Sequence, residues 1–458
     1  MTDMTPETTA STPHVTTADT ASAPAAGWRW APFWVLAFVA LWPAPGIAEA
    51  VMSLGALAAI GRLIFVRFRG GGALLSAQAW ALSSVLFFTY WLPELIGAID
   101  AVDRARAFRE AAVDLRYLPF LWLAAAAVAD ARGRRITFIG LAAIVGVWTL
   151  DALVQAASGT SPWFFAMDAA KLAISGHRLC DANDYALLDR LGGALGPCNL
   201  KLGLVLASLS PFAMHAAGRR FGQWGWLLAA VAIGCVILLA GSRASWITFG
   251  LVLLLSGWHL LGWKRLFGVF AFGGVLLIAL TFVSPQVQQR VERTLHVLSG
   301  DHVGVDSALS GRGRIWSAAW CMTTQHPING VGPRGFRQAF PACDPEPGVV
   351  AAWGEGPAFH AHQIVLEILS ETGVIGLLLW LAGAAMARRA WRYAEPAARE
   401  AAYPAMLALA VTVFPFNTHL AFYSTFWGGL TLLLAALFAG SLLARDGMAR
   451  DGMAAPQS

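Results

Sequence analysis

Along the chain, long unbroken apolar blocks alternate with short polar connections. The blocks fall at roughly 29–45, 47–66, 73–98, 113–130, 136–156, 199–217, 223–240, 243–262, 266–284, 363–387, 402–418 and 421–443. Crossing a hydrocarbon core takes roughly 20 apolar residues in a helix, and only helices and closed barrels satisfy their backbone there. The blocks are continuous rather than alternating, so they predict helices. The expected fold is an all-α polytopic membrane protein of about twelve transmembrane helices, the first two parted by a tight turn at Trp42-Pro-Ala-Pro-Gly46.

The polar connections set the orientation. With the N-terminus in the cytoplasm, the inner loops hold Arg67 and Arg69; Arg132, Arg134 and Arg135; Arg219 and Arg220; Lys264 and Arg265; and Arg388, Arg389 and Arg392. This is the positive-inside arrangement, and it predicts a bacterial inner-membrane protein with both termini cytoplasmic. The layout is then a disordered tail (1–28), helices 1–9 (29–284) with a periplasmic loop at 157–198, a large periplasmic loop between helices 9 and 10 (285–362), helices 10–12 (363–443) and a second disordered tail (444–458). Trp316, Trp320, Phe336, Phe340 and Trp353 in the large loop predict a small folded cap, part of it helical within 312–325.

Composition agrees. Hydrophobic residues make up 57% of the 458 and charged residues 13%, too little charge to keep a soluble protein in solution. No nucleic acid is expected as a partner; membrane lipids are. Four of the five cysteines fall in pairs in the two outer segments, Cys180 with Cys198 and Cys321 with Cys343. An oxidising compartment favours one disulfide in each, against four free thiols.

Intramembrane polar residues crowd the outer helix ends: Glu94, Asp100, Arg116, Asp151, Lys201, Arg243, Asn417 and His419. The bundle centre is nearly bare of charge, which argues against a transporter or flippase with its site at the midplane. The outer loop from Asp100 to Arg116 interleaves Arg104, Arg106, Arg109 and Arg116 with Asp103, Glu110 and Asp114. It reads either as a salt-bridged amphipathic helix or as a docking surface for a phosphorylated glycolipid.

Three stretches carry candidate chemistry: Gly241-Ser-Arg-Ala-Ser245; Ser310-Gly-Arg-Gly-Arg-Ile-Trp316 followed by His326-Pro-Ile-Asn-Gly-Val-Gly-Pro-Arg-Gly-Phe336; and His360-Ala-His-Gln-Ile-Val-Leu-Glu367 running into Ser370-Glu-Thr-Gly-Val-Ile-Gly376. In order and spacing along this topology they resemble the O-antigen ligase and polymerase superfamily of membrane glycosyltransferases, most closely the ligases, over roughly 199–385. The resemblance implies transfer of a glycan from an undecaprenyl diphosphate carrier, without a metal or other cofactor, to the lipid A–core acceptor of lipopolysaccharide. A polymerase or a protein O-oligosaccharyltransferase shares donor and site and differs in acceptor. The family arginines fall on Arg243 and Arg312 and the family histidine on His362. Members often follow that histidine with Asn or Ser; here Gln363 departs from the pattern, a change that bears on acceptor contacts.

The residue types suit that chemistry. A guanidinium offers paired donors to the oxygens of a departing diphosphate, and an imidazole titrates where a sugar hydroxyl needs a base. Each has a plainer reading. Arg243 could anchor a helix end at the interface, Arg312 and Arg314 could be solvated, and His360 with His362 could hold a metal, although no further ligand is suitably spaced. Arg314, Arg334, Arg337, Lys201, Arg116 and His360 are second-tier candidates for binding diphosphate or acceptor, and Gly330, Gly332 and Gly335 read as turn residues.

Overall fold

The computed structural model describes residues 28–69, 73–180, 190–283, 287–288, 291–292, 312–348, 357–418 and 421–444. The two expected tails up to 27 and from 445, Trp353 and His419 lie outside them. All regular structure among the described residues is helical: α1 (Ala31–Ala40), α2 (Pro45–Arg69), α3 (Ala77–Gly97), α4 (Arg104–Asp114), α5 (Tyr117–Ala126), α6 (Ala131–Ser158), α7 (Pro162–Ser175), α8 (Leu202–Ala240), α9 (Arg243–Val283), α10 (Arg312–Gln325), α11 (Phe336–Cys343), α12 (Ile364–Tyr393), α13 (Pro396–Thr412) and α14 (Thr425–Leu442).

Each apolar block of the sequence falls on a helix. Seven described helices are long and apolar enough to cross a membrane, making this a multi-pass membrane protein by length and composition. The expected count of twelve meets two differences. α1 and α5 have ten residues each, about 15 Å of rise against a core of about 30 Å, so apolarity there reflects burial inside the bundle; Phe120, Leu121 and Ala124 of α5 are sealed from solvent. The blocks at 199–217 and 223–240, and those at 243–262 and 266–284, join with almost no loop. One residue reverses each pair, Gly222 (φ 64°) and Gly262 (φ 71°), in backbone conformations that L side chains rarely adopt.

Helices that cross a bilayer in turn alternate in direction, and on that pattern the five basic clusters share one end of the bundle. Arg219 meets Glu400 at the start of α13 there, 3.2 Å away, and Ser76 donates to the carbonyl of Leu443. The opposite end carries the rest. The Asp100–Arg116 stretch contains α4, whose cap Asp103 accepts from the Arg106 N–H. Cys180 and Cys198, and likewise Cys321 and Cys343, stand within disulfide-bonding reach, with Cα separations of 5.6 and 5.7 Å. α10 and α11 enclose a small core of their own around Ile315, Met322, Phe336 and Phe340.

That small core is fastened to the bundle by backbone. α12 breaks at Gly373 (φ 64°, ψ −163°), and a helix break strands N–H and C=O groups that must find partners when buried. The loop 327–332 supplies them. Val331 and Gly332 donate to the carbonyls of Ser370 and Glu371 at 2.8 and 3.0 Å, and Val374 and Ile375 donate to those of Pro327 and Ile328 at 2.9 and 3.1 Å. Such an approach excludes side chains: a Cβ on Gly330 would lie 2.3 Å from the Glu371 carbonyl carbon, and one on Gly373 2.3 Å from that of Ile328.

Gly330→Ala should therefore lose about 2 kcal/mol or more, the sum of a positive φ and a backbone clash. Gly348→Ala, at φ 84° but with open space around the new Cβ, should lose only the conformational part, about 1 kcal/mol. Thermal unfolding in detergent, following both variants side by side, separates the two; equal losses would count against the junction. Non-reducing peptide mapping should recover the linked pairs Cys180–Cys198 and Cys321–Cys343, and free thiols at all four positions would refute the pairing.

Candidate functional site

Four chain segments meet at the end of the bundle away from the basic clusters. α8 closes at Gly241 (φ 66°), and α9 begins two residues later with Arg243. The turn is packed against the start of α8, where a Cβ on Gly203 would lie 2.8 Å from the Ser245 hydroxyl. Arg312 opens α10 and donates to the Thr418 hydroxyl at 3.1 Å. Its guanidinium is largely removed from water, and Arg243 and Arg190 stand close enough to repel it. Burial first, then these two charges, lower its pKa to about 10. Arg312 remains charged at neutral pH, and its Nε has no hydrogen-bond partner among the described residues.

The histidines come from the chain entering α12. His362 is 5% exposed and sits at φ 52°, a left-handed conformation unusual for a residue other than glycine. Such strain is retained where surrounding structure demands it, often at functional sites. Its ring lies 3.9 Å from that of His360, centroid to centroid, and its backbone N–H donates to His360 Nδ1 at 3.3 Å. His360 Nδ1 also lies 3.3 Å from the Glu367 carboxyl. Burial, assisted by the Arg312 charge, pushes His360 from its ordinary 6.5 down to about 4. Gln363 has both ends of its amide engaged: its oxygen accepts from the Leu366 N–H at 2.6 Å, capping α12, and its nitrogen donates to the Pro415 carbonyl at 2.9 Å. Its departure from the usual Asn or Ser is thus accommodated as a helix cap and a tether.

The second-tier residues divide. Arg314 is clamped by Asp344, 2.6 Å from Nε, and by the carbonyl of Glu346, a brace between α10 and the end of α11. Arg334, also at positive φ (55°), has its N–H on Glu371 at 2.7 Å and its guanidinium on Glu110 of α4 at 3.1 Å. Arg116 bonds Glu49 and Ser53 of α2. These three are committed to protein partners. Arg337 lies over the Phe359 ring at 4.5 Å. Lys201 caps the start of α8 with its ammonium 4.6 Å from the Phe426 ring. The expected turn glycines Gly330 and Gly332 do take positive φ, and they also make the close approaches to Glu371 and Ala101.

Arg190 and Thr418 were not among the sequence candidates. Arg190 belongs to no motif and follows a chain segment with no periodic pattern, so only the fold brings it near Arg312. Among the described residues, no three His, Cys, Asp or Glu side chains gather as a metal-holding group.

His360 gives the site a pH signature. Its native pKa near 4 lies below the ordinary 6.5, so between those values the unfolded chain binds a proton that the folded protein does not. This contribution to stability is complete above about pH 6.5 and is lost as pH falls toward 4, with a slope of at most about 1.4 kcal/mol per pH unit. Denaturation in detergent between pH 4 and 7 should show a shallower slope for His360→Gln than for the wild type; identical slopes would place the histidine in a wetter setting.

No curated protein matches the chain. Residues 228–381, which span α9, α10, α11, the Gly373 junction, Arg243, Arg312 and both histidines, match the family model described as O-antigen ligase. The matched stretch is 154 of the 458 residues, and over it the chain is similar to that family.

Proposed function

We propose that the protein is an O-antigen ligase, transferring a glycan from an undecaprenyl diphosphate carrier to the lipid A–core of lipopolysaccharide on the periplasmic face of the inner membrane. The observation that carries this reading is the gathering of Arg243, Arg312, His360 and His362 from three distant chain segments at one end of a membrane bundle, opposite the basic loops. The positive-inside rule puts those loops in the cytoplasm and the gathered residues outside.

The chemistry follows from the groups. Bond cleavage at the anomeric carbon leaves negative charge on the diphosphate. Arg243 and Arg312, held near each other at a repulsive cost, are stabilised by an anion between them and more so as its charge grows. Arg312 lacks a carboxylate partner among the described residues, whereas Arg314, Arg334 and Arg116 have one. His362 takes the proton of the acceptor hydroxyl as that oxygen attacks the anomeric carbon with inversion, and the diphosphate carrier departs. His360, neutral at physiological pH, positions His362 by accepting its backbone N–H.

The test is glycan transfer by purified protein, supplied with a prenyl-diphosphate-linked glycan and candidate acceptors one at a time. His362→Ala should reduce kcat by 100-fold or more, on the order expected for a general base, with donor binding largely retained. Arg312→Lys should also impair transfer, because it keeps the charge and loses the forked donors. A fully active His362→Ala protein would remove the mechanism; transfer to sugars or to protein but not to lipid A–core would keep the chemistry and change the acceptor.

A further inference from the structure

The segment of α9 after Gly262 is the most apolar of the candidate spans and the least buried. Between it, the second segment of α8 and the first of α9 lies a lateral slot of about 740 Å³, walled by residues such as Trp224, Leu227, Trp246, Phe249 and Phe272. Glycines also line it. At Gly250, Gly268, Gly273 and Gly274 an added Cβ would meet no atom within 4 Å. Small residues in membrane helices ordinarily let a second helix come close. Among the described residues no second helix approaches these four, so here the missing side chains widen a slot.

The polar lining is confined to one end. Gln223 and Arg265 stand at the mouth beside the basic loops, where Arg265 gives one of its N–H groups to the Gln223 amide oxygen. Lys264 adjoins it, and Arg220 lies three residues before Gln223. Arg219 nearby is paired with Glu400, whereas Arg220, Lys264 and Arg265 have no carboxylate partner among the described residues. An apolar slot that ends in cations without a carboxylate partner among the described residues fits an amphiphile with apolar chains and an anionic head.

We propose that this slot binds an anionic phospholipid, its acyl chains between the two α9 segments and α8 and its phosphate at Arg265 and Lys264. The guanidinium fork suits phosphate oxygens, and a zwitterionic lipid would bring a cation of its own to a mouth already positive. The bound lipid supplies the packing that the outer α9 segment lacks. That segment precedes α10 and Arg312 in the chain. The proposal is independent of the glycan-transfer reading. An isoprenoid tail is the competing occupant; its diphosphate would need an arginine at the far end, and Arg243 does not line the slot.

The experiment is native mass spectrometry of the detergent-solubilised full chain titrated with phosphatidylglycerol or phosphatidylcholine, with thermal unfolding in parallel. Phosphatidylglycerol should be retained preferentially and raise Tm. Lys264→Gln with Arg265→Gln, at exposed positions, should weaken its retention about tenfold or more. Gly273→Leu, which fills the slot and leaves the charges alone, should weaken retention of both lipids. Equal retention of the two lipids by the wild type would overturn the proposal, as would undiminished phosphatidylglycerol binding by either variant. Displacement of phosphatidylglycerol from the wild type by a prenyl diphosphate that itself fails to bind Gly273→Leu would assign the slot to the carrier tail instead.

Discussion

The candidate site depends on one backbone-to-backbone junction, the apposition of residues 327–332 on the bend of α12 at Gly373. A helix interrupted inside a protein leaves peptide groups that water cannot reach, and each costs about 1–3 kcal/mol if unmatched. Here four hydrogen bonds from one loop match them, and two glycines face one another's neighbouring backbone to permit it. Because α10 and α11 flank that loop, the junction sets where Arg312 and Arg334 stand relative to the histidines that lead into α12.

Electrostatics then sorts the arginines at that end of the bundle. Arg314, Arg334 and Arg116 are spent on carboxylates and brace α10 to α11, the loop to α4, and the 104–116 stretch to α2. Of the two readings of the Arg-rich outer loop, the ion-paired helix accounts for α4, in which Arg106 and Glu110 are 3.8 Å apart. Arg312 is different in kind. It is partly buried beside two other arginines, and like charges held together with reduced access to water raise the energy of the folded state. Such an arrangement is expensive as scaffolding and useful for receiving an anion.

Much of this was legible in the sequence because it rests on local or compositional physics. Apolar runs report helices whatever they pack against, and the cysteine pairs sit close in sequence, so that a folded outer segment brings each pair within bonding range. The helix at 312–325 followed from its aromatic and polar content. The number of spanning helices was less legible. A buried ten-residue helix and a membrane-crossing one share an apolar composition, and the reversals at Gly222 and Gly262 occupy a single residue each. The glycines of 330–335 read as turns; that two of them also make room for another backbone or side chain depends on a partner about 40 residues further on, or far upstream, which no local pattern reveals.

The sequence by itself determined that this is a helical membrane protein, which end of the bundle carries the basic loops, and which two arginines and one histidine sit in motifs suited to a diphosphate and a hydroxyl. Those properties are carried by residue type and short spacing. The tertiary structure alone decided which cations are neutralised by carboxylates and which gather near one another. It brought Arg190 and Thr418 to Arg312, placed His360 beside His362, turned Gln363 into a helix cap, and opened a glycine-lined slot on the flank of α9. The reason is that charge pairing, burial and cavity shape are set by groups distant in sequence, and their energies exist only once the helices have packed.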